Sequence, residues 1–193
     1  AIEYASETLE SGEDIGAVGG KILLLDGSLQ EAGSLIWHDG SCLGYGRGED
    51  PEQPEYMFRR DVDYCSGAFL LFRKQDFIAL NGFDEEFAPA YYEESDFCVR
   101  LRKSGKRVVY DPRAVITHFE FASTGGINKA SELQLAHRQL FYQKHGDFLS
   151  QFYDHTRHSP LQARSPTGLL NVLVIDDRVP YPSMGSGYPR SLS

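Results

Sequence analysis

Two carboxylates, Glu93 and Glu94, stand side by side in the run Tyr91-Tyr92-Glu93-Glu94-Ser95-Asp96-Phe97-Cys98-Val99-Arg100. A carboxylate held out of water can take a proton from a hydroxyl, and that is the chemistry this cluster offers. At roughly 100° per residue, a helix over 92–103 gathers Phe97, Cys98 and Leu101 on one face. Glu94 falls near the centre of that face, while Asp96, Arg100 and Lys103 lie away from it. The helix N-terminus offers partial positive charge to acids in its first turn. Partial burial raises the proton affinity of Glu94 toward that of a useful base. The competing reading is that Glu94 caps the helix or bonds buried backbone. Glu93, at the border of the face, is either a pocket wall or a second acid. Asp96 and Arg100 have the i,i+4 spacing of an ordinary helix ion pair, which is favoured over a catalytic role. Asp96 is also counted among the substrate-binding residues.

Other positions complete a candidate site. His118 ends a strand expected beside this helix. There it either ligates a divalent metal or acts as a simple hydrogen-bonding residue. Ser66-Gly67-Ala68 puts small side chains in the middle of an apolar run, as a packing accommodation or as a floor for a sugar; Gly67 suggests close approach of a ligand or another backbone. His38, His137, His145, His155 and His158 have no partner spacing and read as surface or linker residues.

The elements that must position these groups are legible in outline. Residues 1–14 read as a polar helix with Tyr4 and Leu9 as weak anchors. Residues 16–25 read as a buried strand, Asp26-Gly27-Ser28 as a hairpin turn, and Gly33 to His38 as a second strand. Residues 39–60, rich in Gly, Pro and charge, read as a long loop. Asp61 to Phe72 is the strongest strand signal. Lys74 to Leu80 reads as a short helix stopped by Asn81-Gly82. Residues 107–110 and 114–118 read as two short strands around Asp111-Pro112. Ser123 to Asn128 is a polar loop, and 129–153 a long helix with Leu133, Leu140, Phe141, Phe148 and Phe152 at apolar positions. The fold class is α/β, a mixed sheet with flanking helices. Residues 1–153 form one unit and 154–168 a linker. The apolar run Leu169 to Ile175, followed by Asp176-Asp177, opens a further α/β unit over 169–193. Those paired acids fit a magnesium-binding receiver domain, and Gly185-Ser186-Gly187 fits a Gly-rich loop of a nucleotide-sugar enzyme.

Bulk properties narrow the classes. The 193 residues suffice for one packed domain, and the net charge of −9 argues against a nucleic-acid partner. No apolar run has the length of a membrane span. Cys42, Cys65 and Cys98 have no metal-type spacing and read as reduced thiols of a cytoplasmic protein.

Taken in order, the pieces V-G-G-K-I at 18–22, E-A-G at 31–33, R-G at 47–48, C-S-G-A-F-L-L-F-R at 65–73 and N-G-F-D-E-E-F at 81–87 form a series. It continues with E-E-S-D-F-C-V-R-L at 93–101, G-K-R-V-V-Y-D-P at 105–112 and I-T-H at 116–118. The series resembles the C-terminal, acceptor-side half of bacterial family 2 glycosyltransferases of the GT-A fold, over about residues 16–120. The resemblance implies an inverting transferase moving a hexosyl or deoxyhexosyl group from a nucleotide-sugar donor to a glycan or lipid-linked acceptor. It implies that Glu94, or Glu93 beside it, deprotonates the acceptor, and that His118 helps bind manganese or magnesium. It also implies work on cell-envelope polysaccharide, in the cytoplasm or at the inner face of the membrane. The family more often has Asp where Glu94 stands. Its D-x-D motif has no counterpart ahead of the acidic cluster except Asp61-Val62-Asp63, which sits in a different place. The nucleotide-binding half is therefore expected to be missing, the isolated chain to be inactive, and the tail to begin a GT-B-like domain. The alternative is a non-catalytic interaction module that forms a homo-oligomer through uncovered apolar surface.

Overall fold

The computed structural model describes residues 1–119 and 127–164. Helix α1 (Ile2–Glu10) leads into the central strand β1 (Ile15–Leu23). Next come β2 (Leu29–Ala32), β3 (Ser34–Ile36), β4 (Cys42–Gly44), β5 (Arg60–Asp61) and β6 (Leu70–Phe72). Helices α2 (Lys74–Ala79) and α3 (Glu93–Lys103), strand β7 (Arg107–Thr117), and helices α4 (Ile127–Leu149) and α5 (Pro160–Ala163) complete the chain order.

The main sheet runs β2-β1-β7-β5, with β6 also on β1. Strand β1 is parallel to β7 and antiparallel to β2 and β6. With neighbours on both edges, β1 is buried almost throughout, which is why it reads as a continuous run of apolar and small residues. Its Gly20 is required by β7. Between Asp111 and Val115 the β7 register slips against Gly20 and Lys21, and a Cβ on Gly20 would lie 2.0 Å from the Ala114 carbonyl oxygen. The expected pair of short strands is therefore one strand with a bulge at Asp111-Pro112. Asp111 holds that bulge, accepting from the Arg113 N–H at 2.9 Å and from Thr8 Oγ1 at 2.5 Å.

The expected strand over 61–72 is corrected. It pairs at its ends, as β5 and β6, and through a lone antiparallel bridge between Tyr64 and Ser34, with the Val62 N–H also donating to the Val108 carbonyl. From Ser66 to Phe69 side-chain and turn bonds replace the ladder. The Ser66 N–H donates to Glu31 Oε1, the Ala68 N–H to Ser66 Oγ, and the Phe69 N–H to the Ser66 carbonyl. The apolar residues signalled burial correctly, since Val62, Tyr64 and Cys65 are in the core, but as a pinned loop. The loop expected over 39–60 contains β4, which pairs with β3 as a separate hairpin. Tyr4, expected as an anchor, is exposed beneath the Arg113 guanidinium, whereas Leu9 is buried. All three cysteines are free, with Cys65 and Cys98 buried.

Helix α3 is fixed by Phe97, fully buried within 5.0–5.6 Å of the Phe72, Phe77 and Phe83 rings. Burying one such ring is worth about 1.5–3 kcal/mol. Helix α4 begins at Ile127, inside the stretch expected as loop, and packs Phe141 and Leu149 into the core. Ala163 of α5 is also buried, so the first part of the expected linker lies against the domain. The remainder of that linker and the unit expected over 169–193 lie outside the described residues, as do 123–126 of the expected polar loop.

Candidate active site

The chain enters α3 through two non-glycine residues in the left-handed region, Tyr91 (φ 74°) and Tyr92 (φ 75°). Such backbone costs on the order of 1–3 kcal/mol per residue and persists only where its surroundings enforce it. Helix α4 supplies the enforcement. His137 donates from Nδ1 to the Tyr91 carbonyl at 2.9 Å, and the Tyr92 ring lies 5.2 Å from Phe141. The Tyr92 hydroxyl donates to the Gly40 carbonyl at 3.1 Å. The result is a helix whose first residues, Glu93 and Glu94, turn inward.

Glu94 lines a cavity of about 270 Å³ together with Gln30, Glu31, Cys42, Tyr64, Ser66 and Ser95, with Arg47 also in its lining. Burial, then the adjacent Glu93 charge, raise the Glu94 carboxyl from 4.5 to about 7; Glu31 adds to the rise. The N–H groups of Glu94 itself and of Gly67 pull the other way without cancelling it. Oε2 of Glu94 and Oε2 of Glu93 are buried with no hydrogen-bond partner. Burial also raises Glu93. Two orphaned carboxylate oxygens at a helix start call for an explanation beyond packing. The N-cap residue Tyr92 makes no side-chain cap bond, and the N–H groups of Glu94 and Gly67 that act on the Glu94 carboxyl leave its Oε2 unpartnered. Cys42 is no nucleophile here, since burial pushes its thiol up to about 12.

The expected site residues divide. Ser66 lines the cavity with Glu94, and Gly67 lies at its edge, where an added Cβ would sit 3.9 Å from the Glu94 Cβ. Ala68 only braces Ser66. Asp96 stands apart from the cavity, 1% exposed, with Oδ2 on Arg100 at 2.6 Å and Oδ1 on His145 Nε2 at 2.7 Å. Its place among the substrate-binding residues is corrected to that of a clamp between α3 and α4. His145 Nδ1 meets Lys103 Nζ at 2.7 Å, so an ammonium there donates to an imidazole that donates to Asp96. His137 and His145, expected at the surface, are 7% and 6% exposed and hold the site from α4. Asp61 and Asp63 are bound to Arg107 and Arg102.

Among the described residues His118 meets the cavity lining through Gln30, whose Oε1 lies 2.9 Å from His118 Nδ1. Among the described residues no group of three or more His, Cys, Asp or Glu side chains could hold a metal ion. No such group of described residues, then, forms around His118.

Glu31 was visible in the sequence only as part of E-A-G. It is 5% exposed, accepting from Ser34 Oγ and from the Ser66 N–H, each at 3.0 Å. An acid in a short buried strand was the available signal. The strained tyrosines left none, because left-handed backbone is invisible in non-glycine residues.

Comparison with known proteins bears on this geometry. Residues 51–122 match a family model described as the N-terminal domain of galactosyltransferase, a stretch that includes the Ser66 loop and α3. The rhamnosyltransferase WbbL of Escherichia coli (strain K12) is 36% identical over 77 residues, 40% of this chain and 28% of that protein. The N-acetylglucosaminyl-diphospho-decaprenol L-rhamnosyltransferase of Mycobacterium tuberculosis is 38% identical over 82 residues, 42% of this chain and 26% of that protein. The O-antigen biosynthesis protein RfbC of Myxococcus xanthus is 30% identical over 116 residues, 57% of this chain and 9% of that protein. The chain thus spans less than a third of the length of each relative. These likenesses support a glycosyltransferase domain, and the mixed sheet with flanking helices is consistent with a GT-A-like fragment. Among the described residues no helix is long and apolar enough to cross a membrane.

Proposed function

We propose that this chain carries the acceptor site and the base of an inverting glycosyltransferase that builds cell-envelope polysaccharide. The observation that carries the reading is Glu94, a carboxylate with one orphaned buried oxygen, facing a polar cavity and raised to about 7. Near neutral pH a substantial fraction of such a group is ionised, and the carboxylate is basic enough to take up a hydroxyl proton in the transition state. The acceptor hydroxyl sits against Glu94. Its oxygen attacks the anomeric carbon of a nucleotide sugar from the face opposite the leaving group. The proton passes to Glu94 as the bond from that carbon to the diphosphate oxygen breaks, and the electron pair leaves with the nucleoside diphosphate. Configuration inverts because the displacement is direct. The acceptor is a glycan or lipid-linked sugar, the class named for the mycobacterial relative, and the transferred group is hexosyl or deoxyhexosyl. A divalent metal would neutralise the leaving diphosphate in such an enzyme, but the described residues form no site for one, and no step above runs through it.

The test is transfer by the whole protein from a panel of sugar nucleotides. Glu94→Gln is expected to abolish turnover while leaving donor affinity unchanged. Turnover within a few-fold of the unmodified protein removes Glu94 as the base.

A further inference from the structure

Strand β2 carries an irregularity that faces the cavity. Its pairing with β1 runs Lys21 to Ala32, Ile22 to Glu31 and then Leu23 to Leu29, so Gln30 is the extra residue of a bulge. In a regular strand, neighbours point to opposite faces, and only one of Gln30 and Glu31 would meet the site. A bulge re-aims a side chain, and here both residues line the cavity with Glu94. Both are deeply buried, at 6% and 5% exposure. Each is also braced. His118 fixes Gln30 at 2.9 Å. Ser34 and the Ser66 N–H fix Glu31.

The bracing sets the chemistry that each presents. The Gln30 carbonyl oxygen faces His118, so His118 donates from Nδ1 and the amide NH2 of Gln30 is directed elsewhere, as a donor. Glu31 accepts from Ser34 Oγ and from the Ser66 N–H, and its carboxylate, with about four lone-pair sites, presents acceptors to the cavity. A donor next to an acceptor suits adjacent hydroxyls of a sugar ring, each of which both gives and takes a hydrogen bond.

We propose that the β2 bulge is the specificity wall of this site. In this reading Gln30 and Glu31 read neighbouring hydroxyls of the acceptor sugar, and His118 is the positioning residue that aims Gln30. The proposal rests on the acceptor-site reading of the cavity. It gives His118 a role that needs no metal. Because a site built to hydrogen-bond a hydroxyl rejects the analogue lacking it, the wall predicts discrimination between a sugar and its deoxy form.

The experiment is saturation-transfer NMR on the whole protein with methyl glycosides of D-glucose, D-galactose, N-acetyl-D-glucosamine and L-rhamnose, each beside its monodeoxy analogues. The unmodified protein is expected to bind at least one glycoside and to bind one of its deoxy analogues at least tenfold more weakly. Gln30→Met should weaken the parent glycoside about tenfold and leave that deoxy analogue unchanged. His118→Phe should do the same and add nothing on top of Gln30→Met, which a merely structural loss would not reproduce. Gln30→Ser, with amide spectra as the check on folding, replaces Gln30→Met if that variant does not fold. Binding by the unmodified protein with no change in the Gln30 and His118 variants overturns the specificity wall and leaves the acceptor site standing. Absence of binding to every glycoside overturns both.

Discussion

Replacing Glu94 by glutamine should stabilise the protein, and only where Glu94 would be ionised. The carboxyl is raised from 4.5 to about 7, chiefly by burial and then by Glu93. The folded state therefore binds the proton more tightly than the unfolded state. Stability from Glu94 is fully present below the unfolded value near 4.5 and is lost as pH rises through about 7. Each tenfold in proton affinity is worth about 1.4 kcal/mol, so the ionised carboxylate costs about 3 kcal/mol at pH 8 and below about 1 kcal/mol at pH 5. Glutamine has nearly the same shape and no charge to bury. Urea unfolding of the two proteins at pH 5 and pH 8 measures the difference. The variant should gain about 2 kcal/mol more at pH 8 than at pH 5. A gain that is equal at the two pH values, or a loss at pH 8, would refute the argument that Glu94 is held in a desolvated, like-charged site.

Three further outcomes follow from the same geometry. Asp96→Ala leaves Arg100 and His145 without their buried partner, and should cost about 3–5 kcal/mol in denaturant unfolding; a cost under 1 kcal/mol would show that the α3–α4 clamp is not energetically coupled. Gly20→Ala drives a methyl into the Ala114 carbonyl and should destabilise by more than about 2 kcal/mol, read as a lowered Tm; an unchanged Tm would contradict the β7 bulge. His137→Phe removes the donor to the Tyr91 carbonyl that holds the left-handed turn, and should lower kcat for transfer more than donor affinity; unchanged kcat would mean that the turn keeps its shape without the histidine.

The sequence carries the part of this structure that periodicity writes. Helix α3 and the inward aim of Glu94 followed from the spacing of Phe97, Cys98 and Leu101, because a helix repeats its face. Strand β1 and the turn at Asp26-Gly27-Ser28 were equally plain. The run over 61–72 misled because burial and strand pairing are separate facts: Val62, Tyr64 and Cys65 are buried, yet the pairing thins to a lone bridge at Tyr64, and beyond it the Glu31 side chain pins the backbone at Ser66. The α4 histidines were unreadable for a related reason. His137 and His145 acquire their partners only when α4 crosses the loop before α3, a contact between residues some 46–49 positions apart. The bulge at Gln30 depends on a one-residue slip that no local pattern announces.

The central claim is that Glu94 stands ready to take a proton at neutral pH, and its titration tests this without any substrate. Glutamate labelled with carbon-13 at the side-chain carboxyl, assigned through Glu94→Gln, gives the midpoint by NMR. The account predicts a midpoint near 7 that falls when Glu93→Gln removes the neighbouring charge. A midpoint near 4.5, indifferent to Glu93, would contradict it.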